Sequence, residues 1–257
     1  MANNITANDC TTMVDHSKWK VDKDASFFSY CANETVNGFE FDDDAFPWHL
    51  IPDDMPIVCD MSSNIGTKPV RWDKLAMVYM GAQKNLGTAG CTVMVIREDL
   101  FGHAEKDCPI LCDWTLHENS PDTYYNTPAI FPMYITGLNV AYMNQNGGLE
   151  HYEKLANIRG QLLWDCVNSS QGFYKSKLKS HKSRVNIIFR VAGGDKALEE
   201  IFIKEAEKAG IVQIRGHTFN PGIRISMYNA MPVEGVQYLC EFMNHFARKY
   251  QGSRCKL

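Results

Sequence analysis

The chain has 257 residues, of which 45% are hydrophobic and 22% are charged. This length and composition are typical of a globular protein with one large or two modest domains. The formal net charge of -4 provides no polybasic surface, so we expect neither a nucleic acid nor a membrane as a partner. The chain begins without a signal-peptide pattern and has no apolar run long enough to span a bilayer, which predicts a cytoplasmic protein.

Nine cysteines are scattered along the chain without a Cys-x-x-Cys pair. The closest two, Cys108 and Cys112, lack a second pair or a neighbouring histidine at zinc-ligand spacing, so we predict reduced thiols and no metal site. The C-terminal Cys255-Lys256-Leu257 is a near relative of the Ser-Lys-Leu peroxisomal address. A match of three residues carries little weight, and the cytoplasm stays the predicted location.

The first half of the chain predicts an α/β sheet. Residues 1–18 are polar and aperiodic and are not expected to pack. Short apolar runs predict strands at residues 25–32, 56–59, 75–80 and 91–96. Long connections separate these strands, which favours an α/β sheet that binds ligands at the carboxyl ends of its strands. Residues 101–132 are rich in Asp, Asn, Pro and Thr and predict a long functional or interface loop.

The second half predicts a small α+β domain. Apolar residues at helical spacing predict a helix at 133–144, and the following Asn146-Gly147-Gly148 ends it and marks a domain boundary. Beyond that boundary, helices are predicted at 149–167, 196–209 and 233–250 and strands at 184–191, 211–214 and 223–228. We therefore divide the chain into a poorly ordered start at 1–18, a large domain at 19–147 and a small domain at 148–257.

Lys84 lies between an apolar strand and a loop in which Gly87 and Gly90 leave room for a ligand. A lysine and an aspartate at strand ends, here Lys84 and Asp60, are the two groups that pyridoxal phosphate (PLP) requires: an amine for a Schiff base and a carboxylate for the pyridine nitrogen. A nucleotide-binding phosphate loop is excluded because the glycines are not followed by Gly-Lys-Ser/Thr. A surface salt bridge between Lys84 and Asp60 explains the same two residues equally well, so the residue types alone leave the choice open.

Five strings occur in a characteristic order along the chain: Cys31-Ala32-Asn33-Glu34-Thr35, Cys59-Asp60-Met61-Ser62-Ser63-Asn64, Gly81-Ala82-Gln83-Lys84-Asn85, Tyr125-Asn126-Thr127-Pro128 and Gly222-Ile223-Arg224-Ile225-Ser226-Met227-Tyr228-Asn229-Ala230. From about residue 19 to near the C-terminus, the chain resembles the phosphoserine aminotransferase family. The resemblance implies a fold-type I PLP-dependent transferase with a partial large domain, a mainly parallel sheet and a small C-terminal α+β domain. It also implies a homodimer in which glutamate gives its amino group to 3-phosphohydroxypyruvate, forming O-phosphoserine for serine biosynthesis.

The resemblance implies a role for four residues at the cofactor. Lys84 is similar to the Schiff-base lysine of the family, and Asp60 is similar to the partner of the pyridine nitrogen. Thr35 matches a threonine that contacts the cofactor, and Gln83 matches a cofactor-binding glutamine. These matches favour the catalytic interpretation of Lys84 and Asp60 over the surface salt bridge.

Four further matches concern the partner subunit and the substrate. Asn126 and Thr127 match the pair that reaches the phosphate of the cofactor in the neighbouring subunit, although turn chemistry also explains them. Arg224 matches the arginine that clamps the substrate α-carboxylate, and a surface ion pair is its alternative. His217 matches a histidine near the substrate phosphate, and a loop histidine with local hydrogen bonds is the alternative.

The chain departs from the family at two places. Thr218 stands where the family usually has arginine, and we do not expect Arg215 to compensate for the lost cation. The family also extends well upstream of residue 19 with further cofactor- and substrate-binding groups, so we expect a truncated or divergent member. Two alternatives therefore stay open beside an active phosphoserine transaminase: a catalytically weak relative that acts through dimerisation, and another small-substrate fold-type I aminotransferase.

Overall fold

The computed structural model describes residues 11–120 and 124–254 of the chain. The predictions for the first ten residues and for the C-terminal tripeptide 255–257 lie outside the described residues. Within the described part, no helix combines the length and the apolar composition that crossing a membrane requires.

The first half of the chain builds a mainly parallel sheet, as predicted. The six strands of this half are β1 (Phe28–Cys31), β2 (Asn33–Glu34), β3 (Phe39–Glu40), β4 (Ile57–Asp60), β5 (Met77–Gly81) and β6 (Thr92–Ile96). The sheet order is β1-β4-β5-β6, in which β1 and β5 run parallel to β4 and β6 runs antiparallel to β5. Alternate residues of β4 and β5 enter the core, among them Cys59 and Val78, as the two-residue period of a strand requires. The short strands β2 and β3 form a separate antiparallel ribbon.

Three helices follow this sheet: α1 (Trp114–Glu118), α2 (Ile130–Gln145) and α3 (Gly148–Ser169). The predicted loop at 101–132 is therefore partly wrong. The carboxylate of Asp113 caps α1 by accepting a hydrogen bond from the backbone N–H of Thr115. Pro132 lies in the first turn of helix α2. Proline is tolerated there because the first turn of a helix does not need the N–H that proline lacks. The predicted break between α2 and α3 is confirmed, and Gly147 adopts a left-handed conformation there with φ of 97°.

The second half forms an antiparallel sheet covered by helices. Its elements are β7 (Tyr174–Lys175), β8 (Asn186–Val191), α4 (Lys196–Lys208), β9 (Arg215–His217), β10 (Asn220–Ser226) and α5 (Val233–Arg254), and the sheet order is β7-β8-β10-β9. The strand predicted at 211–214 is wrong. Gln213 has a φ of 60°, which interrupts an extended strand, and the pairing with β10 starts at Arg215 instead.

Two hydrophobic clusters lie on the two halves. One cluster is built around β1, β4 and β5, and the other packs α3, α4 and α5 around β8 and β10 with Phe189, Phe202 and Phe246 at its centre. The division into domains at residues 19–147 and 148–257 stays a prediction.

Asp195 caps helix α4 and provides a test of local helix stability. Its carboxylate accepts hydrogen bonds from the backbone N–H groups of Ala197 and Leu198, each at 3.1 Å. We expect Asp195→Ala to lower the free energy of unfolding by about 1 kcal/mol, measured by urea denaturation, because an N-cap side chain contributes roughly that much. The exposed Asp107 is the matched control, and an equal loss in Asp107→Ala would contradict the capping role.

Candidate active site

Lys84 lies in the turn that follows β5, and its amine meets the hydroxyl of Thr35. The Lys84 Nζ donates a hydrogen bond of 2.8 Å to Thr35 Oγ1. Thr35 stands in the turn between β2 and β3, which the carboxylate of Glu34 holds by accepting from the N–H groups of Val36 and Asn37. The turns that follow β2 and β5 therefore come together, although 49 residues separate Thr35 from Lys84 in the chain.

Asp60 is the last residue of β4. Its carboxylate accepts a 2.8 Å hydrogen bond from the N–H of Ser62, and the Ser62 hydroxyl accepts one of 3.0 Å from the N–H of Gly81. The aspartate is thus linked through Ser62 to the end of β5, three residues before Lys84. Among the described residues Lys84 and Asp60 form no ion pair, so the alternative of a surface salt bridge between them is wrong.

The neighbours of Asp60 in the sheet are groups that stay uncharged at neutral pH. Cys31 pairs with Asp60 across β1 and β4, and Tyr79 pairs with it across β4 and β5. Burial, and then the nearby Asp60 charge, raise the pKa of the Cys31 thiol to about 12. The same two causes raise the pKa of Tyr79. Neither neighbour therefore places a second charge beside the carboxylate of Asp60.

Gly87 and Gly90 serve helix packing, and the prediction that they leave room for a ligand is wrong. A Cβ at Gly87 would lie 2.5 Å from Thr136 Oγ1, and one at Gly90 would lie 3.1 Å from Cγ of Pro132. Both glycines therefore allow the close approach of α2. Gln83 is exposed, and its side-chain amide lies over Gly81, where an added Cβ would meet Oε1 at 2.6 Å.

Asn126 and Thr127 are not brought to this site. Both are exposed just before α2, and Asn126 Nδ2 donates only a long 3.4 Å hydrogen bond to the carbonyl of Thr127. No hydrogen bond joins either residue to Lys84, Asp60 or Thr35 in the described parts of the chain. Their role across a dimer stays a prediction.

Arg224 and His217 lie on the hairpin formed by β9 and β10. Arg224 is half-buried opposite Ile188 of β8, and its guanidinium has no carboxylate partner among the described residues. Within residues 11–120 and 124–254, the surface ion pair considered for it does not form. The His217 Nδ1 accepts a 3.3 Å hydrogen bond from the N–H of Phe219. Asn220 connects the hairpin to the Thr35 turn, since its Nδ2 donates to the carbonyl of Val36 at 3.0 Å.

Comparison with known proteins assigns a family to this arrangement. The model of the family described as aminotransferase class-V matches residues 4–239.

The chain belongs to the class-V aminotransferases.

A phosphoserine aminotransferase from Janthinobacterium sp. (strain Marseille) is 39% identical to the chain over 244 residues, which are 94% of this chain and 64% of the relative. The chain therefore spans less than two thirds of the length of that curated relative. The structure of phosphoserine aminotransferase from Bacillus circulans subsp. alkalophilus superposes with a TM-score of 0.85 at 33% identity, covering 93% of this chain and 64% of that one. A PLP-bound phosphoserine aminotransferase from Trichomonas vaginalis gives a TM-score of 0.85 at 28% identity, covering 94% and 67%. The predicted resemblance and the fold-type I α/β fold are confirmed.

In this member of the class-V aminotransferases, a buried polar network beside Lys84 joins the two halves of the chain. Asn33 is 1% exposed, and its Nδ2 donates to Ser63 Oγ and to Asn186 Oδ1, both at 2.7 Å. Asn85 makes a second connection, because its Oδ1 accepts a 2.9 Å hydrogen bond from the N–H of Asn229. The residues flanking Thr35 and Lys84 are thus fixed by both halves of the aminotransferase.

The sequence interpretation missed this network. Asn33 and Asn229 occur in the matching strings, but those strings were interpreted only for the roles of Thr35 and Arg224. One signal could have revealed the network: the polar residues Ser183 and Asn186 lie just before and at the start of β8, a largely buried strand. Both are fully buried, where a polar side chain requires a partner.

Asn33→Ala tests the network in the aminotransferase. The substitution removes the partner of three buried groups, including the Ser183 hydroxyl that donates to Asn33 Oδ1. We expect a loss of about 1–3 kcal/mol in the free energy of unfolding, measured by denaturant titration, since buried polar groups would lose their hydrogen bonds. Asn119→Ala, at an exposed residue whose amide bonds only within its own helix turn, is the control. A loss no larger than the control's would contradict the network.

Proposed function

We propose that the chain is a PLP-dependent phosphoserine transaminase, which converts 3-phosphohydroxypyruvate and glutamate into O-phosphoserine and 2-oxoglutarate. The observation that carries this proposal is the hydrogen bond from the Lys84 amine to the Thr35 hydroxyl. Lys84 follows β5, and Asp60 ends β4, the strand that pairs with β5. Membership of the class-V aminotransferases and the likeness to phosphoserine aminotransferases support it.

The residues present fit PLP by their chemistry. The primary amine of Lys84 forms no ion pair with a carboxylate among the described residues. Asp60 is a carboxylate with uncharged neighbours in the sheet. We assign Lys84 to the covalent bond, Asp60 to the pyridine nitrogen, and Thr35 and Gln83 to further cofactor contacts. When bound, PLP supplies an electron sink for the charge left on the substrate α-carbon after its proton leaves.

The residues of this chain then have separate tasks. Asp60 keeps a positive charge on the pyridine nitrogen, because a carboxylate favours the protonated form of a neighbouring base. Lys84 Nζ would hold the cofactor and, as a free amine, would be the base that takes the α-proton and returns it. Thr35 orients that amine through the 2.8 Å hydrogen bond. Arg224, whose guanidinium lacks a carboxylate partner in the described chain, binds the substrate α-carboxylate through a bidentate pair of hydrogen bonds.

A homodimer is part of this proposal. Helix α2 exposes a row of large apolar side chains to solvent: Ile130, Phe131, Tyr134, Leu138 and Tyr142. Asn126 and Thr127 lie directly before this helix and are exposed. A second copy that covers the helix would bring these two residues to the cofactor phosphate of its partner. Sedimentation analysis tests the homodimer, and a monomer at micromolar concentration with PLP present would contradict this part of the proposal.

Covalent labelling tests the cofactor assignment. The purified chain is incubated with PLP, reduced with borohydride, digested and mapped by mass spectrometry. We expect the pyridoxyl group on Lys84 and no comparable label on Lys74, an exposed lysine before β5. A label distributed over surface lysines, with none enriched at Lys84, would contradict the proposal.

Activity separates the remaining candidates. A coupled assay with glutamate and 3-phosphohydroxypyruvate is run with the chain alone and mixed with an intact relative. Turnover by the chain alone supports the transaminase. Turnover of the mixture above that of the intact relative alone, with none by the chain alone, supports a weak relative that acts by dimerisation. Another small-substrate aminotransferase is favoured by one observation, the Thr218 hydroxyl in place of a cation. Comparing alanine with phosphoserine as amino donors tests that candidate.

A further inference from the structure

Helix α2 lies directly on the Lys84 turn, residues 82–87. The two approach closely at Gly87, where an added Cβ would lie 2.5 Å from Thr136 Oγ1 and 2.9 Å from Thr136 Cα. Thr136 and Met143 are the buried residues of the helix. Asn139 follows Thr136 by three residues and precedes Met143 by four, so it belongs to the same face of α2. Asn139 therefore lies on the side of the helix that covers the Lys84 turn.

Asn139 holds the peptide group that follows Asn85. Its Nδ2 donates a hydrogen bond of 3.0 Å to the backbone carbonyl of Asn85, and the same nitrogen lies 3.9 Å from Met143 Sδ. A carbonyl only accepts hydrogen bonds, so the amide nitrogen of Asn139 must face it. Asn85 is 4% exposed, and no backbone N–H among the described residues donates to its carbonyl. The side chain of Asn139 is therefore the protein donor that satisfies this buried carbonyl.

Other hydrogen bonds shape the rest of the Lys84 turn. The backbone N–H groups of Leu86 and Gly87 both donate to the carbonyl of Ala82, at 3.1 and 2.7 Å. The side chain of Asn85 bonds to both halves of the chain. These contacts set the curvature of the turn and the side chain of Asn85. The contact from Asn139 adds control over the plane of the peptide between Asn85 and Leu86.

Lys84 depends on this support because its side chain is a long, flexible stem. Its amine has one hydrogen bond among the described residues, that of 2.8 Å to Thr35 Oγ1. A rotation of the backbone at the base of the stem displaces the amine at its end. We propose that Asn139 is a positioning residue for Lys84, which keeps the amine at Thr35 by fixing the Lys84 turn from α2. The proposal rests on the proposed transaminase function and deepens it.

Two substitutions of Asn139 separate hydrogen bonding from packing. Asn139→Ala removes the amide, whereas Asn139→Asp keeps its shape but cannot donate as a carboxylate. The full chain is incubated with PLP and reduced with borohydride at fixed times, and mass spectrometry gives the rate of labelling at Lys84 relative to Lys74. We expect both variants to lower this relative rate by about 10-fold, because a small displacement of a reacting group has an effect of this order. The same substitutions at Asn144, an exposed residue of α2, are the matched controls and should change it by no more than about twofold.

Hydrogen exchange gives a readout that needs no PLP. The N–H groups of Leu86 and Gly87 should exchange about 10-fold faster in the Asn139→Ala and Asn139→Asp variants, since the turn opens more often after losing a hydrogen bond. Asn139→Gln keeps an amide donor and should label Lys84 within about threefold of the wild-type rate.

Three results would overturn the proposal: wild-type labelling of Lys84 in Asn139→Asp, equal effects of the residue 139 and 144 variants, or labelling in Asn139→Gln as slow as in Asn139→Ala. A wild-type chain without label at Lys84 refutes the transaminase function instead. The exchange of Leu86 and Gly87 then still decides whether Asn139 fixes the turn.

Discussion

Lys84→Ala should abolish covalent labelling by PLP and lower the rate of transamination by at least about 10³-fold. The substitution removes both the amine that binds the cofactor and the base that moves the α-proton, and a positioned base alone contributes about 10²–10⁴-fold. The rate is measured with glutamate and 3-phosphohydroxypyruvate, and labelling by borohydride reduction and mass spectrometry. Lys74→Ala, at an exposed lysine, should leave both unchanged.

Lys84→Arg separates charge from covalent chemistry. A guanidinium keeps the positive charge and can still donate to Thr35 Oγ1, but it does not form the covalent bond and stays protonated. We therefore expect this variant to be as inactive as Lys84→Ala while keeping a similar free energy of unfolding. Activity near the wild-type level in Lys84→Arg would show that Lys84 contributes only electrostatically.

Glu40→Ala should lower the free energy of unfolding by about 3–5 kcal/mol, because it leaves a largely buried arginine without its counter-charge. Glu40 is 7% exposed on β3. Its oxygens accept from the backbone N–H of Arg184 at 2.8 Å and from Nη2 at 2.9 Å. Arg184 precedes β8, so this ion pair joins the β2–β3 ribbon of the first half to the second half. Urea denaturation followed by circular dichroism measures the loss.

Two further variants make the Glu40 test specific. Glu40→Gln keeps the shape and the hydrogen bond from the Arg184 backbone but removes the charge, so it should cost less than Glu40→Ala. Asp73→Ala breaks an exposed ion pair with Arg71 of similar length, which solvent screens, and should cause a much smaller change. If Asp73→Ala and Glu40→Ala lower the free energy of unfolding by the same amount, burial does not strengthen the ion pair between the two halves.

Local patterns predicted much of the fold. Strands β4, β5 and β6 lie within two residues of their predicted positions, because their apolar alternation is set by the residues themselves. Helix α1 was missed because five residues carry too little periodicity. The wrong strand at 211–214 has a different cause. The left-handed backbone of Gln213 interrupts the strand, and a short apolar run gives no signal for such a residue.

The sequence predicted which chemical groups belong to the candidate site but not which hydrogen bonds connect them. The ordered strings assign cofactor roles to Lys84, Asp60 and Thr35, and these roles stay predictions. The hydrogen bond between Lys84 and Thr35 agrees with the placement of these two residues at one site. The link between Asn33 and Asn186 spans 153 residues, and hydrophobic periodicity contains no information on which buried polar groups meet. The absence of a carboxylate near Arg224 in the described chain is equally a property of the folded arrangement.

The polar links from Asn33 to Asn186 and from Asn85 to Asn229 have a consequence for the order of assembly. Each link needs groups from both halves of the chain, so the surroundings of Lys84 are completed only after the second half has formed and docked. During refolding, specific capture of PLP by Lys84 should therefore follow the recovery of helical signal. The rate at which Lys84 captures PLP would then report the rate at which the two halves dock.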